Sequence, residues 1–284
     1  MPRCGLAFIP VSLVVIATLL IGITFPLAVA NNDVAPFFPY LSFLGSKPPA
    51  SIVFSYLLYA SSLLVVAGSY VRYRLVRLST GDLSKHSRRL NIAGFVLGIA
   101  AGVGMSVVAT VRITEVYTIH MLGAGLLFWP SAAYCILQTV LSYLMLTPQG
   151  GNGTVCRLRL VLSLMSSVSI FTCLISSILA AIGWSEVQHH VDDKQHWQEL
   201  DGGYVAHLVS AFTELTMVLS FIFYFLTFIP EFRHVRLKVI FISHDGDDRC
   251  IMGNDREGLQ CGRSYHFLSG EGSDEESTEI NSKV

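Results

Sequence analysis

The sequence predicts an all-α, polytopic membrane protein, built as a six-transmembrane-helix bundle with cytosolic N- and C-termini. The chain of 284 residues is 52% hydrophobic and 14% charged, with a mean hydropathy of +0.56. That composition is too apolar for a soluble domain of this size. Six stretches reach the length of about 20 residues that a hydrocarbon core of about 30 Å requires. The basic residues are also distributed unequally between the two predicted sides of the membrane.

The six apolar stretches determine the predicted domain organisation. Because the loops between them are short, we expect each helix to pack against its neighbours in sequence. The stretches are followed by a cytosolic, largely disordered acidic tail at 230–284, which is too short and too polar for a catalytic domain. The transmembrane domain covers 1–229, with helices at approximately 6–30, 52–71, 92–111, 119–146, 160–182 and 207–229.

The positions of lysine and arginine predict the orientation. If the amino terminus is cytosolic, only Lys47, Arg112 and Lys194 lie on the opposite side. The positive-inside rule therefore places both termini in the cytosol. A cleaved signal peptide over 1–30 is the alternative, but its apolar region would exceed the usual 7 to 15 residues or so. The basic residues that lie near the helix ends on the predicted cytosolic side are Arg3, Arg72, Arg74, Arg77, Lys85, Arg88, Arg89, Arg157, Arg159, Arg233, Arg236 and Lys238.

Composition also limits the partners and the covalent chemistry. The net charge is −1, and no basic cluster is interleaved with aromatic residues, so no nucleic-acid partner is predicted and membrane lipids are the expected surroundings. All six cysteines fall in predicted helices or on the predicted cytosolic side, which excludes a disulfide framework in the outer loops. The N-x-T sequence at 152–154 lies on the same side, and we expect it to remain unglycosylated.

Small residues in the third stretch indicate helix packing. Gly94, Gly98 and Gly102 recur every four residues, with Gly104 close by. Glycines at this spacing let a second membrane helix approach closely, although a ligand groove is an alternative interpretation. In the fourth stretch Pro130 lacks an amide donor, and we expect it to kink the helix.

Glu214 is a carboxylate within the last apolar stretch. The predicted orientation places it in the outer half of the membrane, about 10 Å deeper than His207 and on the same helix face. An ionised carboxylate there costs at least about 2.5 kcal/mol, so Glu214 must be protonated, paired or facing a polar cavity. Arg112, Glu115 and His120 are predicted to lie on the same side of the membrane, where they could supply its partners.

Three interpretations of this predicted lumenal cluster remain open. In the first, Glu214 forms a structural hydrogen-bond cluster with His120 and His207 that fixes the fourth and sixth helices. In the second, the same residues form a proton-sensitive or ligand site, because histidine titrates near pH 6.5 or so. The third is a zinc hydrolase with the two histidines as ligands, but no H-x-x-x-H pair occurs. No cofactor, metal or catalytic residue is predicted.

Four segments carry a family resemblance. They read SYVRYRLV, LNIAGFVLGIAAGVGMSVVA, HMLGAGLLFWPSAAYCILQTVLSY and HWQELDGGYVAH, the last followed by the helix of Glu214. In order and spacing they resemble the DRAM family of damage-regulated autophagy modulators, over roughly 5–240. The resemblance implies six membrane helices, residence in the lysosomal and late endosomal membrane, and a positive, non-enzymatic role in autophagy that some members couple to apoptosis.

The same resemblance extends to more distant relatives at the plasma membrane. Those relatives are linked to phosphoinositide kinase recruitment and to mechanically evoked currents. They define an alternative function for this chain, as a lipid- or ion-handling membrane protein that is either transporter-like or a phosphoinositide-kinase-linked scaffold.

The first outer loop departs from the family pattern. Members tend to carry I-S-D-T-G followed by P-E, whereas this chain has LSFLG at 41–45 and PA at 49–50. Two acidic positions are therefore absent. If they belong to a lumenal site with Glu214, that site is altered in this protein. His120, His207 and Glu214 themselves match the family.

The tail contains two short sequences typical of sorting and scaffold binding. Tyr265 and Leu268 fit the tyrosine-x-x-bulky pattern that clathrin adaptors recognise. Ser282 and Val284 fit a PDZ ligand, in which the terminal carboxylate is captured and the peptide adds a strand. A solvated, disordered acidic tail without either function is the alternative interpretation.

Overall fold

The computed structural model describes residues 5–79, 85–146, 152–186 and 195–236. Within these ranges the chain is helical and contains no β-strand. Six segments are long and apolar enough to cross a membrane, which confirms the predicted all-α, six-helix fold. Short 3-10 helices occur at Gly5–Ala7 and Leu41–Gly45. The α-helices are α1 (Phe8–Ala30), α2 (Ala50–Ser79), α3 (Lys85–Thr110), α4 (Tyr117–Leu144), α5 (Gly153–Glu186), α6 (Tyr204–Leu226) and the short α7 (Ile229–Phe232).

Several helices extend beyond the apolar stretches that predicted them. α2 continues to Ser79 rather than ending near 71, and α3 begins at Lys85 rather than near 92. α5 begins at Gly153, seven residues before the predicted start at 160. Hydropathy identifies only the part of a helix that lies in the hydrocarbon core of the membrane. Backbone hydrogen bonds extend the helix beyond this part into the polar interface.

Asn152, the first residue of the N-x-T sequence, caps the start of α5. Its Oδ1 accepts a hydrogen bond from the backbone N–H of Thr154 at 2.9 Å, and its carbonyl accepts one from Cys156 at 3.2 Å. These bonds satisfy amide donors that the first helical turn leaves free. The local structure therefore gives this asparagine a folding role.

The six long helices form a ring in chain order. Each helix packs against the next one in sequence, and α1 also contacts α6, which closes the ring. Following the predicted orientation, we call the end that carries 31–49, 111–116 and 195–203 the outer end, and the opposite end the inner end. Exposed apolar side chains cover the outward faces, for example Val11, Val15 and Leu19 on α1, as expected for helices that face lipid.

An aromatic cluster fills the inner half of the ring. Tyr134 of α4 stacks on Phe225 of α6 with ring centroids 5.9 Å apart, and Phe228 stacks on Phe232 at 5.6 Å. All four rings are buried. Such aromatic pairs contribute both buried area and specific geometry, and these four rings belong to one buried apolar cluster.

The three glycines predicted as a packing face lie against two different helices. A Cβ at Gly98 would collide with Ser69, and one at Gly102 with Val66, both on α2. At Gly94 a Cβ would lie 2.7 Å from the side-chain amide of a glutamine on α4. Close approach of this kind is how small residues join membrane helices.

The tightest contact between backbones on α3 is made by Gly104, outside the predicted four-residue series. A Cβ there would lie 2.5 Å from the carbonyl carbon of Leu126 and 2.7 Å from the carbonyl oxygen of Gly123, both on α4. Backbone atoms cannot rotate away as side chains can. Gly104 therefore sets the distance between α3 and α4.

Candidate functional site

Glu214 of α6 is held by the first outer loop. Its side chain is buried, and Oε2 accepts a hydrogen bond from the backbone N–H of Leu41 at 2.9 Å. The other oxygen, Oε1, makes no hydrogen bond to a residue that the structure describes. This partner comes from the loop segment that departs from the family pattern. The carboxyl group thus ties the sixth helix to the 3-10 helix Leu41–Gly45.

Tyr40 adds a second connection between the loop and α6. Its hydroxyl is hydrogen-bonded to Oγ of Ser210, which in turn donates to the carbonyl of His207 at 2.9 Å. Burial disfavours the phenolate and raises the pKa of Tyr40 to about 12. The phenol is therefore neutral at physiological pH and keeps the proton that it donates.

His207 lies in an aromatic stack at the outer end. Its ring is parallel to Trp197 at a centroid distance of 4.6 Å, and Tyr40 meets it edge to face at 4.7 Å. Trp184 of α5 continues the stack, 4.5 Å from Trp197. The Nδ1 atom of His207 is buried and has no hydrogen-bond partner within the described ranges. The histidine therefore packs as an aromatic ring and makes no hydrogen bond to Glu214 there.

His120 is fixed at the start of α4. Its Nδ1 lies 2.6 Å from the carbonyl oxygen of Val111, and the residue is buried. Since a carbonyl can only accept, Nδ1 carries the proton, and in the neutral ring Nε2 is left as an acceptor. His120 therefore anchors the connection between α3 and α4, and its Nε2 has no hydrogen-bond partner among the residues that the structure describes.

Arg112 and Glu115 pair with each other. Arg112 Nη1 lies 2.9 Å from Glu115 Oε1 in the turn between α3 and α4, and the two side chains are 33% and 61% exposed. Among the described residues neither contacts Glu214, whose position inside the ring places it behind the loop. Those residues also include no group of three His, Cys, Asp or Glu side chains that could hold a metal ion.

A cavity of about 660 Å³ lies inside the ring. Residues from all six long helices and from the first outer loop line it, and most of them are apolar. Its outer end is formed by Tyr40, Leu41, His120 and Glu214, and its inner end by Ser69 and other residues near the aromatic cluster. The volume is within the range of about 300 to 1,000 Å³ that is typical of ligand sites.

A buried charged cluster closes the inner end of the ring. Arg72 of α2 and Arg159 of α5 are 3% and 1% exposed. Glu231 of α7 bridges them, with its two oxygens 2.7 Å from Arg72 Nη1 and 3.1 Å from Arg159 Nη1. Both guanidinium groups also lie over the ring of Phe228, at 5.2 and 4.7 Å. The three charges hold α2, α5 and α7 together.

Neutral groups complete this inner cluster. Oγ of Ser142 on α4 accepts hydrogen bonds from both arginines, at 3.2 Å from Arg72 and 2.7 Å from Arg159. Arg72 also donates to Gln138, and Arg159 to Thr227. In the sequence alone, both arginines indicate only the orientation of the chain in the membrane. One feature of the sequence could have indicated the cluster. Glu231 follows the last apolar stretch closely, at the same predicted end of the bundle where Arg72 and Arg159 flank two other membrane helices.

The family described as Frag1/DRAM/Sfk1/Cwh43P N-terminal domain matches residues 5–235. The chain belongs to this family. DNA damage-regulated autophagy modulator protein 1 of Homo sapiens is 33% identical over 83% of this chain and 94% of its own length. Protein 2 of Bos taurus is 34% identical, over 83% of this chain and 87% of its own length.

A more distant Frag1/DRAM relative is similar over almost the same region. The modulator of macroautophagy TMEM150B of Danio rerio is 27% identical, over 84% of this chain and 91% of its own length. No solved structure matches the chain. Both polar clusters fall within the family match, whereas the tail sequences lie outside it and outside the described residues. Those tail residues are Tyr265, Leu268, Ser282 and Val284.

Proposed function

We propose that this protein is a multi-pass protein of the lysosomal and late endosomal membrane that promotes autophagy and couples it to apoptosis. One observation carries the proposal: the match to the human autophagy modulator spans 94% of that protein, so the two share the whole membrane domain rather than a fragment. The six spanning helices support the membrane part of the proposal.

In this proposal the protein acts without catalysing a reaction. Its relatives are named modulators. The buried polar side chains also have a packing explanation, because the inner charged cluster joins helices and the Glu214 carboxyl joins α6 to the first loop. Polar groups that bind one another across a bundle specify its packing.

A second candidate function is favoured by the central cavity. A transporter-like, lipid-handling protein at the plasma membrane needs a space of ligand size within its helices, and the ring encloses about 660 Å³. No comparable feature of the described residues favours ion handling or a phosphoinositide-kinase-linked scaffold. Because the two candidate functions place the protein in different membranes, its location in the cell is the first property to test.

The test is expression of the tagged full-length chain in cells from which the endogenous copy has been removed. We expect the protein to coincide with lysosomal markers and to raise the turnover of an autophagosome marker, measured with and without inhibition of lysosomal proteases. An unrelated six-helix lysosomal protein controls for overexpression. Residence at the cell surface with unchanged turnover would reject the proposal in favour of the second candidate.

The tail provides a separate prediction about sorting. We expect Tyr265→Ala to increase the fraction of protein at the cell surface severalfold, because a tyrosine-x-x-bulky sequence then loses the ring that clathrin adaptors recognise. Surface biotinylation measures that fraction. His266→Ala is the matched control, since the pattern tolerates any residue at that position. If the two variants distribute alike, Tyr265 and Leu268 do not form a sorting signal.

A further inference from the structure

The central cavity is polar at its outer end and mostly apolar further in. Its outer end presents the carboxyl group of Glu214 and the ring of His120, while the side chains further in are mostly apolar. From Glu214 to Phe225, which also lines the cavity, α6 rises about 16 Å at 1.5 Å per residue. That length is close to half of a hydrocarbon core of about 30 Å, the depth that one lipid tail spans.

Two acceptor atoms at the outer end have no described hydrogen-bond partner, and Trp197 Nε1, also in the cavity lining, is a donor without one. Glu214 Oε2 is occupied by the N–H of Leu41, and Oε1 has no described hydrogen-bond partner. His120 directs Nδ1 to the carbonyl of Val111, so its Nε2 is the remaining acceptor. Tyr40 is already bonded to Ser210. A head group that pairs with both of these acceptors must therefore donate hydrogen bonds.

The charges of the lining residues further restrict which head groups can bind. Among the described residues that line the cavity, Glu214 is the one acidic side chain, and none is a lysine or an arginine. An ionised Glu214 would repel a carboxylate or phosphate head, because no cation of the described lining compensates it, whereas an ammonium head would pair with it. Within a bilayer an uncompensated charge is costly, so the pair is favoured over either partner alone.

The side of the ring between α4 and α5 offers a path from the lipid. Met121 and Trp129 on α4, and Leu174 and Ile178 on α5, all line the cavity and are exposed. Trp129 meets Phe171 edge to face at 5.2 Å across this seam. Apolar side chains that face both the cavity and the lipid let a hydrocarbon tail enter sideways.

We propose that the cavity binds a single-tailed amphiphile with an amine head, as found in long-chain bases. The ammonium group donates to Glu214 Oε1 and to His120 Nε2, and the tail lies along the apolar part of the cavity toward the inner half. This inference concerns binding alone and does not rest on the proposed role in autophagy. If the protein binds the amine but does not affect autophagy, only the proposed role in autophagy is rejected.

The experiment uses three photoactivatable, alkyne-tagged probes that share one tail and differ in the head. The heads are a primary amine, an alcohol and a carboxylate. Purified full-length protein in lipid nanodiscs is labelled with each probe, with and without an excess of the untagged compound. Because a hydrogen bond to a charged group contributes about 1.5 to 3 kcal/mol, we expect the amine to compete at least about tenfold better than the alcohol. The carboxylate should compete least.

Two variants test the site itself. Glu214→Gln keeps an oxygen that can accept from Leu41 but removes the charge, so the preference for the amine over the alcohol should disappear. Gly125→Leu adds bulk to a cavity-lining position at which a Cβ meets no other atom within 4 Å, and labelling by the amine and the alcohol should fall together. Glu115→Gln, on the exposed rim, is the control and should label as the unaltered protein does.

The outcomes separate the proposal from its alternatives. Labelled peptides should map to α4, α5 or α6, and the thermal unfolding of each variant shows that it is folded. Equal competition by the three heads, or an unchanged amine preference in a folded Glu214→Gln variant, would overturn the amine assignment. Failure of the untagged single-tailed amine to displace its own probe would overturn the single-tailed assignment, and labelling elsewhere would overturn the cavity as the site.

Discussion

Glu231→Ala should lower the free energy of unfolding by about 3 kcal/mol, because it removes the carboxylate that bridges two buried arginines. Breaking a buried ion pair from one side costs about 3 to 5 kcal/mol, since the remaining charge is left uncompensated. Glu231 is itself 33% exposed, which places the effect at the low end of that range. The measurement is thermal unfolding of the purified protein in detergent, in which the fraction of protein that remains monodisperse is recorded against temperature.

The outer rim provides a matched control for this ion pair. Glu115→Ala also removes a carboxylate 2.9 Å from an arginine, but both of those side chains are substantially exposed. Exposed salt bridges contribute about 0 to 1 kcal/mol, so this variant should unfold close to the unaltered protein. Glu231→Gln should fall between the two, because the amide oxygen accepts from one arginine without neutralising either. Equal unfolding of the two alanine variants would show that the inner cluster does not stabilise the bundle.

Gly104→Ala is expected to have the second-largest effect, a loss of about 1 to 3 kcal/mol. The added methyl group would lie 2.7 Å from the carbonyl oxygen of Gly123 and against the backbone of Leu127. A side chain can rotate away from such a contact, but here α3 and α4 must separate. The same unfolding assay measures the loss, and reduced steady-state levels in cells should accompany it.

Other glycines in the membrane helices serve as controls for Gly104. A Cβ at Gly22 of α1 meets no other atom within 4 Å, so Gly22→Ala should leave stability unchanged or raise it, as alanine favours helix over glycine. Gly94→Ala should cost less than Gly104→Ala, because the nearest obstructing atom is the terminal amide nitrogen of the flexible Gln138 side chain, 2.7 Å from the added Cβ. If Gly104→Ala unfolds like Gly22→Ala, then α3 and α4 are not in backbone contact.

The sequence by itself determined the class of the protein and the number of its helices. Hydropathy is a local property, since about 20 consecutive apolar residues suffice to identify a membrane helix whatever surrounds it. The order of packing also followed, because short loops force neighbouring helices together. Helix ends were less well predicted: α2 runs on past the apolar stretch to Ser79, where polar residues continue the backbone hydrogen bonds without any change in hydropathy to mark the end.

Only the tertiary structure decided which polar side chains meet. Glu214 was singled out as a buried carboxylate, but its partner is the backbone of Leu41, a group identical in every sequence and 173 positions away. Arg72, Arg159 and Glu231 were likewise scattered over the chain, and as single letters the two arginines indicated only the side of the membrane. Closure of the ring brings these residues together, and that contact depends on helix rotation and depth, which neither hydropathy nor spacing along one helix records.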